Sequence, residues 1–150
     1  MRKSKTLFME TTKINPDQTV GEIQGILGRY GASGIQIKYN AGEIVAVAFS
    51  VDINDRHVPF MLPCRWEAVH SVIVNRMRKV RKSREEEYIL QAKRVAWRQI
   101  LRWVEAQLAL VETEMVRIEE VFMPYLVVGK GQTLYQKLQN SQFQLEGPKA

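Results

Sequence analysis

Apolar residues recur at three- and four-residue steps through the longest unbroken segment of the chain, Ser83 to about Phe122. Trp97, Ile100, Val104, Leu108, Val111, Met115 and Ile118 make one stripe, which predicts an amphipathic helix. Ile89, Ala92, Val95, Ala96, Leu101 and Ala109 widen that stripe, so packing partners are expected on two sides. Ser83 and Glu86 have capping-box spacing, and Glu85, Glu86 and Glu87 suit the positive end of the helix dipole. No Gly or Pro intervenes before Pro124. At ~1.5 Å per residue the helix would reach about 60 Å, too long for a domain of this size, so a bend or a protruding end is expected.

The preceding residues alternate between short periodic segments and turns. Thr19 and Glu22 form a second capping-box pattern, and Val20, Ile23, Ile26, Leu27 and Tyr30 define one helical face that Gly31 would end. Gly21, Gly25 and Gly28 disfavour that helix, and close backbone contact with a sheet would explain them. Ile35, Ile37 and Tyr39 alternate with Gln36 and Lys38, which predicts a half-buried strand. Asn40-Ala41-Gly42 turns the chain into a second strand, Glu43 to Val51, with Val45, Val47, Phe49 and Val51 on one face. After the Asn54-Asp55 turn, Arg56 to Leu62 forms a third strand, and Pro59, which lacks an N–H, places it at the sheet edge.

A second helix is expected from about Arg65 to Lys82, with Trp66, Val69, Ile73, Met77 and Val80 as its buried stripe. Beyond the long helix, the turn Gly129-Lys130-Gly131-Gln132 precedes a short final helix. Residues 1–15 are polar and aperiodic and are taken as a flexible lead, 16–140 as one domain, and 141–150 as a disordered tail. The predicted class is α+β: an N-terminal helix, a three-stranded antiparallel meander, then a basic helix and a long helix packed on the sheet as a single layer.

Composition changes this picture in one respect. The 150 residues are 45% hydrophobic, as in an ordinary globular domain, and no apolar run approaches the ~18 residues of a membrane span. The N-terminal apolar run is too short for a signal peptide, and a single cysteine, Cys64, excludes an internal disulfide, so a cytoplasmic setting is expected. The net charge is +6 with a pI near 9.6, and it is concentrated. Between Arg76 and Arg102 ten Lys and Arg face only Glu85, Glu86 and Glu87; that segment carries +7 and the rest of the chain sums to −1.

Candidate chemistry is sparse. Asp52, Asp55 and His57 lie near one another but at a hairpin turn, where Asp serves turn geometry, so no metal site is assigned. His70 stands alone on a helix. Gly129-Lys130-Gly131-Gln132-Thr133 lacks the spacing of a phosphate loop, and a turn is expected there. Glu112, Glu114, Glu119 and Glu120 suit a solvated helix face. No catalytic set and no cofactor is therefore assigned, and the chain is expected not to be an enzyme.

The basic segment is the feature above this background. Arg76, Arg78, Lys79, Arg81, Lys82 and Arg84 place six cations in nine residues, and Arg94, Arg98 and Arg102 continue at four-residue steps as a basic ridge. Such density suits neutralisation of phosphates, each contributing a counterion-release term. Tyr88, Trp97 and Trp103 are aromatic residues available for stacking bases, with Trp97 better placed for the core. These nine cations are the expected nucleic-acid contacts. The structural alternative is a solvated helix junction in which Glu85–Glu87 neutralise the cations locally.

From Gly31-Ala32-Ser33-Gly34, through Val58-Pro59-Phe60-Met61-Leu62-Pro63 and the Ala96–Glu112 segment, to Glu119–Val128 and Gly131–Tyr135, the chain resembles a family of uncharacterised proteins from bacteriophages and prophages. The resemblance covers most of residues 19–138 and implies a phage or mobile-element origin without an activity. The order helix, three strands, helix is also similar to the double-stranded-RNA-binding domain, whose last helix opens with clustered lysines. Here that position is Pro63-Cys64-Arg65-Trp66-Glu67-Ala68, which removes the key contacts. An antiparallel sheet followed by a basic helix is similar in topology to the core of single-strand annealing proteins, which implies a DNA groove served by Arg94, Arg98 and Arg102. Sequence-independent DNA binding in support of DNA processing or recombination is the expected function. The alternative is a non-catalytic protein-interaction factor, an inhibitor or assembly subunit with an acidic partner; self-association fits either.

Overall fold

The structure is a computed structural model and describes residues 6–145. Its elements run α1 (Pro16–Arg29), β1 (Ala32–Asn40), β2 (Glu43–Ile53), β3 (Arg56–Pro63), α2 (Trp66–Asn75), α3 (Glu85–Glu112), α4 (Ile118–Val121), β4 (Val127–Gly129), β5 (Gln132–Thr133) and α5 (Leu134–Asn140). The class is α+β, with an N-terminal helix, a three-stranded antiparallel sheet and a long helix.

The sheet follows the alternation of the sequence. The order is β1-β2-β3, so the Pro59 strand lies at an edge. Both hairpins turn on residues of positive φ, Ala41-Gly42 and Asn54-Asp55, the backbone geometry that matches strand twist in two-residue hairpins. Ile37 pairs with Val47 and Val47 with Leu62; Ile35 pairs with Phe49 and Phe49 with Phe60. These residues share one face, and the core forms where α1 and α3 cover it: Val20, Ile23 and Leu27 from α1, and Trp97, Leu101, Val104 and Leu108 from α3. α2 packs on α3, with Lys93 Nζ 4.9 Å from the centre of the Trp66 ring, and its Trp66 and Val69 rest against the same core.

Helix ends depart from the expected positions, each for a local reason. α1 opens at Pro16, whose missing N–H costs nothing at a first helical position, so Thr19 lies inside the helix and caps nothing. Gly21, Gly25 and Gly28 do not touch the sheet: a Cβ at Gly21 or Gly28 would meet nothing within 4 Å, and at Gly25 only the Arg29 side chain, at 3.8 Å. α2 ends at Asn75 and does not continue to Lys82. A helix through that stretch would stack Arg78 on Arg81 and Lys82, and Lys79 on Arg76 and Lys82, like charges at repulsive three- and four-residue spacings. Val80, expected in the buried stripe, is 49% exposed, so no packing compensates. Ser83 lies in a 3₁₀ turn, Lys82–Arg84, and α3 begins at Glu85 without a side-chain cap.

The long helix stops at Glu112 after 28 residues, about 42 Å. Glu114 takes a φ of 62°, the chain reverses, and α4 follows. The break delivers Phe122 to the sheet, where it is fully buried with its ring centroid 5.3 Å from Phe49 and 5.5 Å from Trp103. Gly129, Lys130 and Gly131 all have positive φ and form the tight turn of the β4–β5 hairpin, which joins the edge of β3 through a Phe60–Leu126 bridge. The lead carries a turn over residues 8–11, and its backbone is bonded to α3: Gln91 Nε2 donates to the carbonyls of Glu10 (2.9 Å) and Thr12 (2.8 Å), and Gln99 Nε2 to that of Phe8 (2.9 Å). Residues 1–5 of the expected lead and 146–150 of the expected tail lie outside the described residues.

Candidate nucleic-acid interface

The nine cations divide into two groups that the sequence does not distinguish. The loop 76–84 leaves Arg76, Arg78, Lys79, Arg81, Lys82 and Arg84 all exposed. Arg84 Nε donates to Glu87 at 3.1 Å, a surface pair worth under about 1 kcal/mol. Among the described residues no carboxylate pairs with Arg78, Lys79, Arg81 or Lys82. Of Glu85, Glu86 and Glu87, Glu87 is the one that makes an ion pair with a loop cation among the described residues. Tyr88 fastens the loop to α3 by accepting from the backbone N–H of Arg81 at 3.4 Å.

The ridge on α3 points inward for the most part. Arg98 is 4% exposed; its guanidinium donates to Glu22 and, at 3.5 Å, to the buried hydroxyl of Thr19, both on α1. The buried Arg98 Nε has no hydrogen-bond partner, an unsatisfied donor that offsets part of what the Glu22 and Thr19 contacts contribute. Removing Glu22 would leave that charge buried and unpaired, at a cost of about 2–3 kcal/mol given that Glu22 itself is partly solvated. Arg94 donates to Asn15 Oδ1 at 2.9 Å, which ties α3 to the start of α1. Arg102 is exposed but donates to both carboxylate oxygens of Glu105, at 2.8 and 3.0 Å. The three arginines therefore do not line one open groove with the loop; Arg98 in particular is a structural cation.

The candidate stacking residues separate in the same way. Trp97 is 1% exposed and belongs to the core. Trp103 is half-buried and lines a groove of about 310 Å³ between α2, α3 and the 3₁₀ turn Met123–Tyr125, together with Arg65, Val69, Gln99, Ile100 and Tyr125. Only Trp103 among these was marked by its sequence, because the groove is assembled from three separated segments.

At the hairpin, Asp52 and His57 face each other as a cross-strand pair, and the exposed imidazole Nδ1 contacts the carboxylate. Ser33 Oγ donates to Asp52 at 3.3 Å and is 3.2 Å from Ser50 Oγ. The carboxylate lies between serine and histidine, so the imidazole is not placed to take the serine proton; the cluster braces the strand ends. Cys64 is buried, and burial pushes its thiol up to about 12, which leaves it unreactive at neutral pH. Among the described residues no helix is long and apolar enough to cross a membrane. Compared with known protein families, curated proteins and solved structures, the chain matches none.

Proposed function

We propose that the chain binds nucleic acid without base specificity, through phosphate contacts made by the loop 76–84. The observation that carries this is the set of four exposed cations, Arg78, Lys79, Arg81 and Lys82, with no carboxylate partner among the described residues. An irregular, exposed loop can follow a phosphate backbone more closely than a straight helix, and local cation density is what counterion release rewards. The role is binding and not catalysis. Support of DNA processing or recombination in a phage or mobile-element setting is the context that the sequence resemblance implies.

The test is fluorescence anisotropy with labelled DNA and RNA, single- and double-stranded, across a salt series. Binding should weaken steeply with salt; four phosphates neutralised on a single strand correspond to a log–log slope of about −3. No binding to any strand at low salt would overturn the proposal and favour an acidic protein as the loop's partner, for which the exposed Val80 supplies an apolar contact.

A further inference from the structure

We propose that the groove beside α2 takes one base of a single-stranded nucleic acid, with Arg65 holding the adjoining phosphate. This rests on the nucleic-acid function above and extends it from phosphate contacts to a choice of strand. Trp103 and Tyr125 form an aromatic corner, ring centroids 5.5 Å apart and planes at 69°, with Val69 and Ile100 completing the apolar walls. A volume of about 310 Å³ is at the small end of ligand-sized pockets and suits one flat ring system.

The polar groups of the groove fit a base joined to an anion. Gln99 uses its Nε2 on the Phe8 carbonyl, which leaves its Oε1 to accept from an exocyclic amino or ring N–H group. Arg65 is exposed at the rim, its guanidinium 5.8 Å from the centre of the Tyr135 ring, with no carboxylate partner among the described residues. Among the described residues no Asp or Glu lines the groove. By contrast, the pocket at the start of α1 contains Asp17 and Glu43 beside its cations.

Arg65 immediately precedes α2, and the basic loop follows its last residue, Asn75. Ten helical residues span about 15 Å, a distance that an extended single strand of several nucleotides bridges. One strand can then lay phosphates on the loop and insert a base in the groove. Duplex DNA presents no unstacked base and could use the groove only after a base was flipped out, which costs unpairing and unstacking.

The experiment compares the intact protein's affinity for a labelled single-stranded DNA, an abasic strand of equal length and the corresponding duplex. The base-bearing strand should bind about tenfold more tightly than the abasic one, the scale of one stacked base, and more tightly than the duplex. Tyr125→Leu, which keeps the groove apolar but removes one of its two rings, should lower the native-to-abasic ratio. Equal affinity for native and abasic strands, equal affinity for duplex, or a ratio unchanged by Tyr125→Leu would overturn the inference while leaving the phosphate contacts standing. The abasic comparison needs no altered protein, so it decides even if the variant fails to fold. No binding of any strand at low salt would remove the proposed function as well.

Discussion

The loop 76–84 and the arginine ridge of α3 are both basic in sequence, and the structure uses them differently. The loop holds its cations in water, four of them without a carboxylate partner among the described residues. The ridge engages its cations within the chain: Arg98 is buried on Glu22 and Thr19, Arg94 is bonded to Asn15, and the exposed Arg102 pairs with Glu105. A cation within reach of a fixed carboxylate has already exchanged its hydration for a partner, and it has less to gain from a phosphate. Charge density alone is therefore a weak guide to a binding surface; what decides is which cations the fold leaves unmatched.

Variants can break this comparison at either end. Charge reversal at Arg78, Lys79, Arg81 and Lys82 should have the largest effect, abolishing DNA retention in the anisotropy assay. The same variant should change stability to chemical denaturation by no more than about 0.5 kcal/mol per site, as for exposed positions generally. Arg98→Ala should do the reverse. It should destabilise the fold by about 3 kcal/mol, because it empties a packed site and strands Thr19 and Glu22, and affinity measured on the folded fraction should be kept. If Arg98→Ala removed binding from a fully folded protein, the ridge would have to be counted with the interface after all.

Cys64 sharpens the comparison as a reporter, since it belongs to the core that Arg98 helps to close. Thiol labelling should be slow in the parent protein and in the loop variant, and faster in Arg98→Ala. Its pH dependence has a definite sign. The folded thiol ionises near 12 and the unfolded one near its ordinary 9, so between these values the unfolded state binds fewer protons. Stability from this group is complete below about pH 9 and falls as pH rises toward 12, which denaturation midpoints taken across that range would record. The smallest effect concerns α1, the helix that Arg98 anchors. Gly21→Ala and Gly28→Ala each enter open space in a helix and should stabilise by about 0.5–1 kcal/mol, with DNA affinity unchanged.

Local pattern was enough where one residue type has one physical solution. Alternation placed β1 to β3, Gly42 and Asn54-Asp55 supplied residues that tolerate the positive φ of the hairpin turns, and Pro59 marked the edge strand. Where two local rules compete, the sequence was ambiguous. The apolar stripe running to Val80 argued for a helix to Lys82; the mutual repulsion of its cations and the lack of packing for Val80 end it at Asn75. The length of the periodic segment called for a bend or a protruding end, but periodicity unbroken to Ile118 did not place it at Glu112, because the demand that breaks the helix comes from the distant aromatic cluster receiving Phe122.

The sequence by itself determined the α+β class, the order of helix, meander and long helix, and the concentration of positive charge between Arg76 and Arg102. Tertiary structure alone decided which of those charges remain available, and it built the groove of Arg65, Gln99, Trp103 and Tyr125 from three segments. The physical reason is range. Periodicity and turn chemistry act between near neighbours in the chain, whereas the partner of a charge or the wall of a groove is whatever residue the packing brings close. Glu22 meets Arg98 across 76 positions, and no local pattern encodes that distance.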